Sequence, residues 1–193
     1  MVADFLRIDP YKLKGNVFKL IDLDWMLVTA GTPERWNTMT ASWGGLGILW
    51  NRPVTFVFVR PTRYTYEFME EHDRFTLSFF TKTHRKALVF CGSKSGRDHD
   101  KARETGLEPV SPFKDAVTFR QARLVLVCRK LYTTDIDPKR FLDPKIDKNY
   151  PKKDYHRVYV GEITRCLKRV TRNARRFTPE SGDRRRAQDV KHP

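Results

Sequence analysis

Cysteine is scarce in this chain, and the three present, Cys91, Cys128 and Cys166, form no CxxC pair. That argues against a disulfide framework and against a cysteine-built zinc site, and it points to a reducing cytosol. Long apolar runs are missing as well. The longest aliphatic run, Leu124 to Cys128, is far too short to span a bilayer. The first twenty residues hold no continuous apolar core and no cleavage signature. A soluble, cytoplasmic protein with no membrane partner is therefore expected. The five histidines show no metal-ligand spacing, and neither HExxH nor a Walker A motif occurs. Gly45 and Gly47 approach a GxGxxG string, but its third position is Trp50. No strand-then-helix context surrounds it and no acidic residue follows about twenty positions on, so a Rossmann dinucleotide site is excluded. No internal repeat is evident.

What the chain does have is a moderate apolar fraction, 39%, with 12% aromatics, enough to build one buried core in 193 residues. It also has a large positive excess: 38 Lys and Arg against 23 Asp and Glu, a formal charge of +15. Such a balance favours anionic partners, whether nucleic acid, membrane surface or phosphorylated cofactor. The excess is uneven. Arg165 to Pro193 carries ten Lys or Arg and only three Asp or Glu. From about Lys168 the sequence becomes an Arg-rich string nearly free of aliphatic residues, which reads as a flexible tail over 169–193 beyond a domain spanning 1–168.

Within that domain, strands dominate. Leu23–Ala30 and Val54–Val59 are short, apolar and bounded by breakers. Arg74–Phe80 alternates, with Phe75, Leu77 and Phe79 opposed to Thr76, Ser78 and Phe80. Phe119–Tyr132 reads as one long bent strand and His156–Cys166 as another alternating one. Three short helices are expected over Tyr64–Glu71, His84–Cys91 and Arg97–Thr105. The first has Thr62 or Thr65 as its N-cap, the second Gly92 as its C′ residue, and the third stops at Gly106. Asp135–Asp154 is polar and Pro-interrupted, an excursion over the surface. The order lacks the regular alternation of a parallel α/β sheet. A mainly β fold, an antiparallel closed or half-closed barrel with a few short inserted helices, fits it.

Three segments combine hydroxyls, cations and glycines. The first runs from Asn37 through Thr40, Ser42 and Trp43 to Gly45. The second is Arg60–Thr65, two guanidinium groups and hydroxyls at a helix start, where free N–H groups and bidentate arginines suit an anion. The third is Ser93–Arg97 with Lys101. Each alone reads as ordinary turn and cap chemistry; together they support a phosphorylated ligand and no more.

The strings NTMTASWGG, RPTRYTYEFMEE, FTLSFF, CGSKSGRDHDK and DYHRVYVGEI, in that order, resemble the flavin-reductase-like, flavoredoxin-type branch of the FMN-binding split-barrel proteins. The resemblance covers Leu23 to Leu167. It implies a Greek-key split β-barrel of about six strands, a homodimer, and FMN held near the subunit interface. By position, Asn37, Thr40, Ser42 and Trp43 would line the flavin ring and ribityl chain. Arg60, Arg63, Tyr64, Thr65 and Lys101 would meet the phosphate end. Phe79 and Phe80 would pack close by, and His156 would approach the ring. No side chain is singled out as a catalytic acid, base or nucleophile, because hydride transfer to a flavin needs none.

The resemblance implies an NAD(P)H-dependent flavin reductase-type enzyme that passes electrons to free flavin or a redox partner. A non-enzymatic FMN electron carrier is the alternative, and nucleic-acid binding through the basic tail is a minor one. The tail itself matches nothing in the family pattern.

Overall fold

The computed structural model describes residues 4–113 and 116–170. Among them the chain forms ten strands and three α-helices. β1 (Phe5–Ile8) leads through a 3-10 turn and a π turn into β2 (Met26–Gly31) and β3 (Trp36–Ala41). β4 (Gly44–Leu49), β5 (Arg52–Val59), α1 (Tyr64–Glu71) and β6 (Arg74–Phe79) follow. Then come α2 (Arg85–Ser93), α3 (Lys101–Thr105), β7 (Pro109–Phe113), β8 (Ala116–Phe119), β9 (Leu124–Asp135) and β10 (Arg157–Arg169).

One sheet runs in the order β3-β2-β6-β9-β10-β5-β4, with β1 added to β10, and every pairing is antiparallel. Its two end strands, β3 and β4, follow each other in the chain but do not pair, so the barrel is split there. β7 and β8 form a separate ribbon. Local chemistry sets both flanking hairpins. Trp50 and Asn51 take φ of 52° and 58°, the left-handed pair that a two-residue turn between β4 and β5 demands. Gly31 has φ 118°, and a Cβ there would stand 2.3 Å from the Arg35 carbonyl oxygen, so only glycine closes the β2–β3 turn.

The alternation expected in β6 is the one that builds the two cores. Phe75, Leu77 and Phe79 point into the barrel with Met26, Val28, Leu126 and Tyr159. The opposite face is covered by the β7–β8 ribbon and α2, where Leu27, Phe80, Leu88, Phe119 and Val125 cluster. Thr76 and Ser78 are fully buried on that side, yet satisfied: Thr76 donates to the Val117 carbonyl, and Ser78 bonds the Thr118 hydroxyl at 2.7 Å. All three cysteines are buried free thiols whose pKa values burial pushes up.

Four expectations shift. The strand expected from Leu23 starts at Met26, because Lys19–Leu23 winds into the π turn and Trp25 sits at φ 65°. The strand expected over Phe119–Tyr132 is two. The chain turns at Arg120–Arg123, where Ala122 N–H bonds the Phe119 carbonyl and Arg123 N–H bonds the Phe79 carbonyl. Helix α2 continues through Gly92 to Ser93 instead of ending before it. Gly92 is there for closeness: a Cβ would meet the Thr40 Cβ at 3.2 Å. Helix α3 starts at Lys101, four residues late, because the Asp100 carboxylate caps it by accepting from Arg103 N–H; it stops at Gly106 (φ 70°) as expected.

Gly161 offers a stability test of the barrel. It sits at a register shift between β10 and β9, and a Cβ there would lie 2.5 Å from the Phe75 ring carbon Cζ. Both partners are buried, and Cys128 Cβ stands 3.2 Å from the same position. Gly161→Ala is expected to destabilise the fold by about 1–3 kcal/mol through overpacking, measured as a lower urea midpoint with unchanged slope. An unchanged midpoint would show that Phe75 repacks freely.

Candidate functional site

The split in the barrel opens onto a groove with two ends. The wider end, about 170 Å³, is lined by Thr40, Ala41, Ser42, Trp43, Phe58, Arg60 and His156. The narrower, about 100 Å³, is lined by Thr62, Tyr64, Thr65, Ser93, Lys94, Ser95, Gly96 and Lys101. Met39 and Arg63 line both, so the two ends adjoin.

Three elements converge to make the narrow end. The end of β5 leads through Arg60–Arg63 into α1. The α2–α3 connection brings Ser93–Gly96, and β3 forms the floor. Asn37 on β3 ties them together: its Nδ2 donates to Thr65 Oγ1 at 2.8 Å, both buried. Its Oδ1 lies where a Gly96 Cβ would be, 2.0 Å away, so that turn approaches β3 only because residue 96 is glycine. Thr65 is thus a strut and not a helix cap. Arg63 stands at the cap position with extended backbone and no side-chain cap bond. The first two residues of α1, Tyr64 and Thr65, line the groove, while the Tyr66 N–H is taken by the Arg63 carbonyl at 2.9 Å.

Two cations here differ in kind. Arg63 Nη1 donates to the Gly92 carbonyl at 2.7 Å, which holds the guanidinium across the junction of the two ends. Burial, and then the nearby Arg60 charge, lower its pKa from the ordinary arginine value. Lys101 lies deeper. Its Nζ donates to the carbonyls of Thr38 at 2.7 Å and Cys91 at 3.0 Å, joining β3 to α2. Burial lowers its pKa to about 8.

At the wide end, the segment before β10 supplies a wall. Tyr150 is buried and its hydroxyl bonds His156 Nδ1 at 2.9 Å. The imidazole packs on Trp43, ring centres 5.1 Å apart, and edge-on to Phe58. Burial, followed by repulsion from Arg60, lowers the His156 pKa to about 4, so it is neutral at physiological pH. Arg60 is held in turn: it bonds Asp154 at 2.8 Å and the Asn149 carbonyl, and covers the Tyr150 ring. Thr62 donates to the same Asp154 carboxylate. The polar 135–154 excursion is thus pinned to the groove by its last residues.

Of the residues read from the sequence, Thr40, Ser42, Trp43, Arg60, Arg63, Tyr64, Thr65, Lys101 and His156 line the groove. Asn37 supports it from beneath. Phe79 and Phe80 do not reach it; they are buried in the two cores. Tyr150, Asp154 and Phe58 were missed. Asp154 was legible as the first residue of the DYHRVYVGEI string, and Phe58 as the groove-facing member of an alternating strand. Tyr150 carried no signal, since its role depends on a long excursion folding back.

A family model described as the flavin reductase like domain matches residues 23–178. No curated protein matches the chain in sequence. Among solved structures, the chain is similar to an FMN-binding domain of a flavin reductases-like enzyme from Shewanella baltica. The TM-score is 0.62 at 18% identity, over 86% of this chain and 78% of that one. It is also similar to a flavoredoxin from Methanosarcina acetivorans (TM-score 0.59, 24% identity, 82% and 75% covered). A third likeness is to an NADH:FAD oxidoreductase of Streptomyces globisporus (TM-score 0.56, 16% identity, 75% and 74% covered).

Proposed function

Because the chain belongs to the flavin reductase like domain family, we propose that it binds FMN along the split-barrel groove and transfers electrons through it. One observation carries this reading: an aromatic end, whose Arg60 is paired with Asp154, adjoins an end built from cations, hydroxyls and a helix start, with Arg63 at the junction. A planar ring system with a phosphate-terminated tail has the same polarity. Trp43, Phe58 and neutral His156 would hold the ring; Arg63, Lys94, the Ser93 and Ser95 hydroxyls and the first turn of α1 would hold the phosphate. Lys101 would act from behind, as a buried cation that fixes the floor and adds positive potential.

The bound flavin supplies the hydride- and electron-accepting chemistry. The protein's share is position and electrostatics. His156 cannot give up a proton near neutral pH, and its Tyr150 bond sets the ring orientation. Thr40 is held by the Leu88 carbonyl, which fixes the β3 edge along which the ligand lies. In this reading NAD(P)H is the electron donor, and free flavin or a redox protein the acceptor. A homodimer covers the exposed Ile48, Trp50 and Tyr132 around the β4–β5 hairpin.

The test is direct. Protein mixed with FMN and then desalted should keep a flavin absorption spectrum, and stopped-flow mixing with NADH or NADPH should bleach it. Loss of all flavin on desalting at micromolar protein would remove the reading. Retained flavin that neither nicotinamide reduces would make the protein an electron carrier and not a reductase.

A further inference from the structure

A second concave site lies at the other end of β10, and nothing in the flavin reading uses it. Its volume is about 1150 Å³, larger than either end of the flavin groove. His156 immediately precedes the first residue of β10, whereas Lys168 and Arg169 close the strand. At a strand rise of roughly 3.3 Å per residue the two sites stand some 35–40 Å apart along the strand.

The lining has a consistent chemistry. Arg7, Lys12, Lys14, Lys168 and Arg169 all face the cleft, and none meets a carboxylate among the described residues. A sixth cation, Arg123, is neutralised by Asp24 at 2.8 Å. The one acid on the lining, Asp9, is turned to the backbone, where it accepts from Tyr11 N–H. The field reaches its neighbours: burial and then the Arg169 charge lower the His84 pKa. The register explains the gathering. Lys168 sits opposite both Leu6 of β1 and Leu124 of β9, so Arg7 on β1, Lys12 and Lys14 just after it, and Lys168 and Arg169 on β10 gather around one hollow. Elsewhere on this surface arginines pair with acids, as Arg35 does with Glu71, Arg129 with Glu162 and Arg157 with Asp135. Unpaired like charges around a hollow repel one another unless an anion enters.

We propose that this cleft is a second ligand site and takes a small polyphosphate, of the size and charge of a nucleoside polyphosphate. The concave shape excludes a flat lipid surface. The cleft also lacks the aromatic side chains on which single-stranded nucleic acid stacks. Ile8, Leu13 and Leu124 supply an aliphatic patch that an organic group beside the phosphates can cover.

The experiment is isothermal titration of the full chain, mixed with FMN and desalted to remove the unbound flavin, with tripolyphosphate, ATP and an oligothymidine at low salt. Saturable one-to-one binding of tripolyphosphate and ATP is expected. The triple variant Lys12→Gln, Lys168→Gln, Arg169→Gln should weaken both by at least about tenfold, since each 1.4 kcal/mol of lost charge contact is a decade. A charge-matched variant away from the cleft, Lys139→Gln, Lys145→Gln, Lys148→Gln, should leave binding within about twofold. All six side chains are exposed, so folding should survive, and flavin absorption should be the same in every protein. Tighter binding of ATP than of tripolyphosphate would assign the aliphatic patch to the organic group, and equal binding would assign the site to the phosphates alone. Absence of saturable binding, equal weakening in both triple variants, or binding of the oligothymidine alone would overturn the proposal. None of these outcomes depends on whether the groove holds FMN.

Discussion

Replacing Arg63 by alanine is expected to weaken FMN binding about 10- to 100-fold while changing riboflavin binding by less than about threefold, from the loss of one charge-assisted contact worth roughly 1.5–3 kcal/mol. The contrast between the two ligands is the informative part, because they differ only in the phosphate. Arg63 is the right residue to isolate. Its guanidinium spans the junction of the two ends of the groove, and among the described residues its one hydrogen-bond partner is the Gly92 carbonyl. That carbonyl loses little when the arginine goes, since water can enter an open groove. Thr65→Ala is expected to behave differently, although the sequence places it beside Arg63. It strips the buried Asn37 amide of its acceptor, which costs about 1–3 kcal/mol of stability and weakens both ligands alike. Lys101→Ala leaves two buried carbonyls unpaired and should act in the same unselective way. Fluorescence titration of FMN and riboflavin against the three variants separates these outcomes. Equal losses for both ligands in Arg63→Ala would take this arginine out of the phosphate site.

Acid should destabilise the protein through His156, by about 3 kcal/mol or roughly 6–10 °C in Tm between pH 6.5 and pH 4. The folded-state pKa is about 4, against an ordinary value of 6.5. Between those values the unfolded chain binds the proton and the folded protein does not. Stability is therefore fully present above pH 6.5 and is lost as pH falls toward 4. The cause is burial of the ring between Trp43, Phe58 and Tyr150, with Arg60 adding repulsion. Carboxylates also titrate near the lower limit, so the measurement is a difference. Urea denaturation at pH 7 and at pH 4, for wild type and His156→Gln, should show the wild type losing about 3 kcal/mol more than the variant. Glutamine keeps an amide toward the Tyr150 hydroxyl, so lost packing affects both pH values equally and cancels. Equal acid losses in the two proteins would mean that the imidazole is solvated and the Tyr150 wall is open.

Both predictions concern groups whose residue type was evident in the sequence but whose task was not. Arg63 and Thr65 stand two residues apart in the same RPTRYT string and look interchangeable as anion ligands. Folding separates them, because Asn37, 28 residues earlier, claims the threonine hydroxyl. Gly92 reads as a helix terminator and is in fact a point of close approach to Thr40. Phe79 sits in the FTLSFF string that carries the family resemblance, yet its place in the alternation sends it into the barrel interior.

The sequence by itself determined the strand-rich class, the two opposed faces of β6, the extent of α1, the stop at Gly106 and the family. These follow from periods of two or four residues, from local backbone chemistry, or from ordered short strings. Only the tertiary structure decided where the barrel splits, which hydroxyls are struts, and that Tyr150 returns from a polar excursion to hold His156. It alone shows that cations from residues 7–14 and 168–169 meet in one hollow. The physical reason is range. A side chain's partner across a sheet or beneath a helix is chosen by register and packing between segments as far apart as Phe5 and Arg169, and no local pattern in the chain encodes that choice.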